Sequence, residues 1–244
     1  MIKLYFKQAF HLLKENKLLS SISIIGTALA IAMIMVIVIT LRATIAPFAP
    51  ESYRDRMLIF RYAGFQYKTN ENWQSNGPVS YKTAKACFKE MAAPEAVTIT
   101  SSFSETMLAA KPAGEKVSCS VLQVDDDFWK VFKFDFLSGY PFDKATFDAG
   151  ATKAVISEDI ARQLFGTSDV VGKTFLLNHS AYMICGVVRP VSKLARYAYA
   201  QIWIPLSSTD AFTASWGEYG MLGSMVSGSC PSNGAERCRT FNLS

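Results

Sequence analysis

The sequence predicts an α+β chain in which one N-terminal transmembrane helix precedes a β-rich domain. Three observations lead to that class. Residues 18–41 contain no Asp, Glu, Lys, Arg or His. The apolar segments that follow are mostly short and alternate with period two, which is typical of strands. A few short helical patterns lie between those strands, as in α+β proteins.

The uncharged run is long enough to cross a bilayer. Its 24 residues, at about 1.5 Å each, span about 36 Å as a helix, against a hydrocarbon core of about 30 Å. A cleavable signal peptide has an apolar region of only about 7–15 residues. Small residues in "ATIAPFA" beyond the run would suit a peptidase, but the length favours an uncleaved transmembrane helix, which we place at residues 18–42.

The basic excess of the chain lies before and at the end of this helix. The chain carries 25 Lys and Arg against 20 Asp and Glu. Five of the basic residues and one acidic residue, Glu15, precede residue 43, which leaves 20 against 19 in the rest. By the positive-inside rule, the N-terminus is cytoplasmic and residues 43–244 are periplasmic, outside the inner membrane. The near-neutral domain lacks clustered positive charge, so we expect no nucleic-acid partner.

Residues 1–17 predict an interfacial amphipathic helix on the cytoplasmic leaflet of the lipid bilayer. With the spacing of an α-helix, the apolar residues fall on one face and the basic residues on another. The apolar positions are Ile2, Phe6, Ala9, Phe10 and Leu13, and the basic ones are Lys3, Lys7, His11 and Lys14. A frayed basic leader is the alternative interpretation.

The first part of the exported domain predicts a stalk, a strand, a loop and a helix. Residues 43–53 contain two prolines and predict the stalk, "MLIFRYA" (57–63) predicts the strand, and the polar, aromatic-dotted stretch up to Gly77–Pro78 predicts the loop. Ser80 is placed to cap a helix over residues 81–91. On that helix Tyr81, Ala84, Phe88 and Met91 would face inward, and Lys82, Lys85 and Lys89 would face water.

The middle of the domain alternates short strands with one short helix. "AVTITSS" and "KVSCSVLQV" predict strands, and Val117, Cys119 and Val121 point to one side of the second. "DDFWKVF" predicts a short helix, Gly139–Pro141 a turn, and "KAVIS" a strand.

The stretch "LFGTSDVVGKT" (164–174) ends like a phosphate-binding loop. Such a loop has four residues between its glycines, whereas five separate Gly166 and Gly172. The preceding pattern is a helix that ends at Gly166, and "TFLLNHSAYMICGVV" after it predicts two strands around an Asn178–His179 turn. We therefore predict a solvated Lys173 and no nucleotide site. "AQIWIPL" (200–206) predicts a last clear strand.

The end of the chain differs from the rest. Residues 228–244 show no apolar period and bunch two cysteines with Pro, Gly and Arg. This tail is either disordered or read in the wrong frame after a deletion, because "GMLGSMV" before it resembles a strand cut short.

The sequence predicts no catalytic, cofactor-binding or metal-binding residue, so we do not expect an enzyme. Of the two histidines, His11 precedes the membrane helix and His179 lies in a turn, and no hydrolase or zinc motif occurs. The adjacent Asp125, Asp126 and Asp127 do not alternate as a calcium loop requires, and capping of the next helix explains them.

The five cysteines indicate no metal site either, because none has zinc-ligand spacing. Cys87, Cys119 and Cys185 are predicted to be buried apolar side chains. Cys230 and Cys238 could pair within the tail.

Three ordered phrases in this chain resemble the MacB-type family of ABC transporter permeases, also called FtsX-like. They are "VDDDFWKVFKFDFLSGYPF", "KAVISEDIARQLFGTSDVVGKTFLLNHSAYMICGVV" and "AQIWIPL". Preceded by a basic amphipathic start and one long span, they are similar to recurring phrases of that family's exported core domain, with Tyr140 where Arg is common. The resemblance covers about residues 1–225.

The resemblance implies a periplasmic core domain at residues 43–227. In that family the domain lies between the first and second of four spans, and a β-rich distal lobe is inserted into an αβ lobe near the membrane. By analogy, about 101–206 form the distal lobe. Spans two to four are absent from this sequence, so we expect a truncated permease subunit.

The resemblance also implies a function. A cytoplasmic ABC ATPase subunit would drive export or mechanotransmission through the periplasmic domain, with a second permease copy and a periplasmic adaptor or substrate as further partners. The alternative is a stand-alone, single-pass, membrane-anchored periplasmic binding or scaffold protein.

Overall fold

The computed structural model of the chain describes residues 17–67, 70–91, 93–102, 104–112, 114–209 and 224–229, together with Tyr5, His11 and Glu15. The chain forms two compact units, Met1–Ala46 and Pro47–Ser244.

The first unit contains a long helix, α1 (Lys17–Ile45). Its part Ser20–Ile45 is long and apolar enough to cross a membrane, judged by length and composition, with a mean hydropathy of 2.8. Hydroxyl groups along α1 donate to backbone carbonyls of the same helix, for example Thr40 to Val36 at 2.6 Å, which satisfies polar groups that an apolar solvent cannot. The predicted helix over residues 1–17 lies mostly outside the described residues.

The second unit is rich in strands. Its described strands are β1 (Met57–Phe60), β2 (Ala63–Tyr67), β3 (Asn70–Gly77), β4 (Ala96–Ser101), β5 (Glu105–Ala110), β6 (Lys116–Val124), β7 (Phe136–Gly139), β8 (Lys153–Ser157), β9 (Thr174–Leu177), β10 (Ser180–Val188), β11 (Ile202–Pro205) and β12 (Ser224–Ser229). Its described α-helices are α2 (Tyr81–Ala84), α3 (Phe128–Val131), α4 (Lys144–Asp148) and α5 (Glu158–Phe165). A π-helical turn, Lys85–Lys89, continues α2.

Six of these strands close into a ring in the order β6, β11, β8, β10, β9 and β5. The ring closes because β5 pairs with β9 on one side and, antiparallel, with β6 on the other. The pairs β6–β11 and β8–β10 are parallel. Outside the ring, β4, β12 and β1 extend the sheet from β6, β7 pairs with β10, and β2 and β3 form a separate hairpin.

Alternate residues of the ring strands fill two apolar clusters on opposite faces, as period-two side chains must. On β11, Ile202 and Ile204 join the first cluster while Trp203 joins the second. The first cluster also includes Val121, Ile156, Phe175, Ile184 and, from α5, Ile160 and Leu164. The second is aromatic and includes Phe128, Phe132, Trp129 and Phe134.

Predictions that depend on local sequence signals are confirmed. "KAVIS" is β8, and α5 ends at Gly166 with a left-handed φ of 72°. Asn178 and His179 form the β9–β10 turn with φ values of 43° and 76°. Ser80 caps α2, since its hydroxyl accepts a hydrogen bond from the Thr83 nitrogen.

Other predictions are wrong. The loop expected before Gly77–Pro78 is the β2–β3 hairpin, and β5, β7 and α4 were not predicted. The stalk expected at 43–53 is replaced by the end of α1 and by a segment in which Glu51 is fully buried. Cys87 is exposed, whereas Cys119 is buried and Cys185 is half-buried.

Two further expectations concern domain limits. The interrupted strand before the tail is the six-residue β12, which pairs with both β1 and β4, and the tail beyond Ser229 lies outside the described residues. All six ring strands fall within 101–206, but β4 continues the same sheet through its Thr100–Val124 pairing. The division into two lobes stays a prediction.

Candidate functional site

The segment that follows α1 in the chain is fastened to the domain by one buried carboxylate. Glu51 is fully buried. Its Oε1 accepts hydrogen bonds from the backbone nitrogens of Tyr197 at 2.8 Å and Ala198 at 3.2 Å, and its Oε2 accepts one from Arg54 Nε at 2.9 Å. These hydrogen bonds are needed because burying a carboxylate without partners costs roughly several kcal/mol.

Arg54, the ion-pair partner of Glu51, also connects the segment after α1 to the loop before β11. Its Nη2 donates to the carbonyl oxygen of Leu194 at 2.6 Å, and its guanidinium lies 4.4 Å from the centre of the Phe48 ring. We call Glu51, Arg54 and the loop 194–198 the Glu51 junction.

The Glu51 junction continues into the ring. The Ala198 carbonyl accepts a hydrogen bond from Trp203 Nε1 at 3.2 Å, and Trp203 is the fully buried centre of β11. On the other side, the Lys133 nitrogen donates to the Pro50 carbonyl at 2.9 Å. The segment after α1 is thereby bonded both to the loop before β11 and to the loop after α3.

This arrangement fastens two distant parts of the chain to each other and leaves neither carboxylate oxygen of Glu51 without a donor. Both oxygens of Glu51 are committed to fixed donors, and charge-assisted bonds of this kind are stronger and more directional than neutral ones. The sequence does not indicate this site, because backbone N–H groups leave no mark in the side-chain pattern and Glu51 directly follows Pro50 in the predicted stalk.

A second charged cluster joins the π-helical turn to β4 and α3. The Lys89 ammonium lies 2.7 Å from Asp125 Oδ2 and also pairs with Asp127. Asp125 is fully buried, and it accepts hydrogen bonds from the Thr98 hydroxyl and, at 2.9 Å, from the Ile99 nitrogen.

Burial sets the electrostatics of this cluster. It raises the pKa of Asp125 to about 6, against the opposing effect of the Lys89 charge and of the donated hydrogen bonds. Burial, the largest single effect, would lower the pKa of Lys89, but the charges and hydrogen bonds of Asp125 and Asp127 together outweigh it and the pKa is raised. The pKa of Asp127 is lowered, because bonds from Lys130 and Lys89 outweigh its partial burial.

The cluster corrects two predictions. Lys89 was expected to face water and is instead the partner of a buried carboxylate. The aspartates were expected to cap α3. Asp127 does occupy the N-cap position, but its side chain makes no capping hydrogen bond and instead forms ion pairs with Lys89 and Lys130. Carboxylate oxygens of Asp125, Asp126 and Asp127 lie within 4.8 Å of one another, but Lys89 already supplies a cation to two of them, so a metal is not needed to explain them.

The Gly172–Lys173 stretch has no free backbone donors for a phosphate. The Gly172 nitrogen donates to Ile184 and the Lys173 nitrogen to Val170. The Lys173 side chain is exposed, with Nζ 5.6 Å from the centre of the Phe165 ring. His179, at the tip of its turn, is exposed.

Comparison with known proteins places most of the chain in a family. The family described as MacB-like periplasmic core domain matches residues 20–227. The uncharacterized ABC transporter permease YknZ of Bacillus subtilis (strain 168) is 26% identical over 109 residues, which cover 45% of this chain and 27% of that protein. The macrolide export ATP-binding/permease protein MacB of Pasteurella multocida (strain Pm70) is 30% identical over 92 residues, which cover 38% of this chain and 14% of that protein.

These matched regions span less than a third of either relative. Among solved structures, the periplasmic region of MacB from Actinobacillus actinomycetemcomitans superposes with a TM-score of 0.55 at 17% identity, over 75% of this chain and 80% of that one. At that identity the likeness concerns the fold.

Proposed function

The chain belongs to the family of MacB-like periplasmic core domains, and from that premise we propose that it serves a MacB/FtsX-type ABC transporter as part of the permease subunit. In this proposal a cytoplasmic ATPase partner hydrolyses ATP, and the permease carries the resulting movement to its exported domain. The N-terminus is cytoplasmic and the second unit lies outside the inner membrane. A second permease copy and a periplasmic adaptor or substrate are further proposed partners.

The Glu51 junction is the observation that supports coupling. A domain moved by its membrane segment needs a stiff attachment where the chain leaves the membrane. Glu51 follows α1 closely in sequence and binds the loop before β11 by two charge-assisted hydrogen bonds. Movement of this segment would therefore act on the ring through Trp203.

The experiment is to purify the protein from its native membranes in mild detergent and to identify bound subunits by mass spectrometry. We expect an ABC ATPase to accompany it and the complex to hydrolyse ATP. Absence of any such ATPase, in preparations where the protein itself is folded, would overturn the proposal.

The coupling role of the junction has its own test in the same complex. Glu51→Ala should change ATP turnover several-fold, whereas Glu95→Ala should not. Glu95 is a matched control because it is also paired with an arginine, Arg56, but is 48% exposed. Equal turnover in both variants would reject the Glu51 junction as the coupling path and leave ATPase association standing.

The alternative, a stand-alone, single-pass anchored binding or scaffold protein, is not favoured by membership in a permease family. That family is a transporter component rather than an enzyme, and the proposal assigns ATP hydrolysis to the partner subunit.

A further inference from the structure

A pocket of about 190 Å³ lies beside the Glu51 junction. It is formed by Arg61 just after β1, by serines at and just after the end of β4, and by the loop that carries Arg196 and Tyr197. These parts are far apart in the chain, so the pocket exists only in the folded domain.

The charged side chains that the described residues contribute to the pocket lining are both positive. They belong to Arg61 and Arg196, and among the described residues no aspartate or glutamate lines the pocket. Neither guanidinium forms a salt bridge with a carboxylate of the described residues, whereas Arg54, Arg56, Arg162 and Arg189 each do. Arg61 is held instead against the Tyr197 ring, with its guanidinium carbon 5.6 Å from the ring centre.

A hydroxyl group of the lining also lacks a partner. Ser102 Oγ is buried and makes no hydrogen bond within the described structure. Buried polar atoms in folded proteins nearly always have a hydrogen-bond partner, so an unpaired one indicates a ligand or a solvent molecule as its partner. An acceptor oxygen in the pocket would supply it.

From these features we infer that the pocket binds the carboxylate or phosphate group of a small anionic ligand. The planar donor fork of arginine matches both groups and binds them in bidentate fashion. The volume exceeds the roughly 30 Å³ that a water molecule occupies in the liquid, and it is below the roughly 300 Å³ at which pockets for drug-sized ligands begin. One anionic group with a short attachment fits that range.

The pocket and the Glu51 junction have Tyr197 in common. The backbone nitrogen of Tyr197 donates a hydrogen bond to Glu51, and the same residue lines the pocket. A bound anion would therefore stiffen the loop that fastens the segment after α1. That consequence rests on the proposed function, whereas binding of the anion does not.

The test is equilibrium dialysis of the full chain in detergent against radiolabelled citrate and, separately, radiolabelled phosphate, with sodium chloride matching the ionic strength. We expect saturable binding of at least one probe, and which probe binds identifies carboxylate or phosphate as the ligand group. Arg61→Ala and Arg196→Ala should each weaken this binding about tenfold or more, and Ser102→Ala should weaken it less.

Arg189→Ala is the matched control, because Arg189 is 66% exposed and paired with Asp135 outside the pocket. It should leave binding unchanged. Absence of saturable binding of both probes would overturn the inference, and so would equal binding in all variants. Tryptophan fluorescence of each variant verifies that it is folded, and neither result depends on an ATPase.

Discussion

The Oε1 atom of Glu51 lies 2.8 Å from the backbone nitrogen of Tyr197, although 146 positions separate the two residues in the chain. Removing this carboxylate takes the acceptor from the backbone N–H groups of Tyr197 and Ala198 and from Arg54 Nε, while Arg54 Nη2 keeps its bond to the Leu194 carbonyl. We expect Glu51→Ala to lower the free energy of unfolding by roughly 3–5 kcal/mol, as for other broken buried ion pairs.

The measurement for Glu51→Ala is urea unfolding in detergent, followed by tryptophan fluorescence. Glu95→Ala removes a partly exposed partner of Arg56 and should cost no more than about 1 kcal/mol. Similar losses in the two variants would mean that the Glu51 bonds contribute no more than a surface ion pair.

Asp125 predicts a pH dependence of stability. Burial raises its pKa from 3.8 to about 6 in the folded chain. The folded state therefore holds the Asp125 proton more tightly than the unfolded state does. The contribution of this proton to the free energy of unfolding is fully present below about pH 4 and is lost as the pH rises through about 6. The Asp125→Asn variant has no such titration, so the stability of the wild type minus that of the variant should fall between pH 4 and 6.5.

Urea unfolding at several pH values measures this difference. Asp126→Asn is the control, since Asp126 makes no salt bridge among the described residues, and its curve should stay parallel to that of the wild type. A parallel curve for Asp125→Asn as well would contradict the assignment.

Two glycines with the same backbone conformation should respond differently to alanine. Gly139 and Gly166 have φ values of 70° and 72°. A Cβ at Gly166 meets nothing within 4 Å, whereas a Cβ at Gly139 would overlap the carbonyl oxygen of Cys185 and lie 2.9 Å from the Gly186 Cα. Gly166→Ala should cost about 1–2 kcal/mol from the left-handed backbone alone.

Gly139→Ala should lower the stability by about 1–3 kcal/mol more than Gly166→Ala. Both variants bear the cost of a left-handed alanine, and at Gly139 the clash of the added methyl group with β10 adds to it. The loop after β7 cannot retreat freely, since the Tyr140 nitrogen is bonded to that same Cys185 carbonyl at 3.0 Å. Thermal unfolding of both variants compares them, and equal losses would show that the β7–β10 contact yields to the added methyl group.

The β9–β10 turn offers a stabilising change. His179 has a φ of 76° and an exposed side chain, so His179→Gly relieves left-handed strain of about 1 kcal/mol, partly offset by the greater freedom of glycine in the unfolded chain. We expect a net gain of roughly 0.5 kcal/mol, seen as a higher urea midpoint.

Asn178→Gly is the comparison for that turn, because it removes the Oδ1 atom that accepts a hydrogen bond from the Leu108 nitrogen at 3.1 Å. It should not raise the midpoint. A larger gain from Asn178→Gly than from His179→Gly would contradict this account.

The stretch from β8 to β10 was predictable because its signals are local. A period-two strand, a helix with a glycine at its end and a two-residue turn each depend on residues a few positions apart. β5 and β7 escaped prediction for the opposite reason: β7 is recognisable as a strand only through its pairing with β10, and β5 through its pairings with β6 and β9.

The charged groups were harder to predict than the strands. Lys89 lies on the helix turn beside lysines that do face water, and only the approach of Asp125 from another part of the chain buries it. Glu51 likewise finds its partners in the loop 194–198. Helical period predicts which face a residue occupies, and it cannot predict which distant group covers that face.

The position of β11 in the ring has a consequence for the nascent chain. β11 pairs with β6 on one side and β8 on the other, so those two strands face each other across a gap until Ile202–Pro205 has been synthesised. During that interval both edges can pair with another chain, as unpaired strand edges do, and the indole of Trp203 has not yet filled the aromatic cluster. A ribosome that stalls before codon 202 would therefore release a product with the β6 and β8 edges open to aggregation and proteolysis. One that stalls just after codon 205 would release a closed ring, with the β1 and β4 edges still lacking β12.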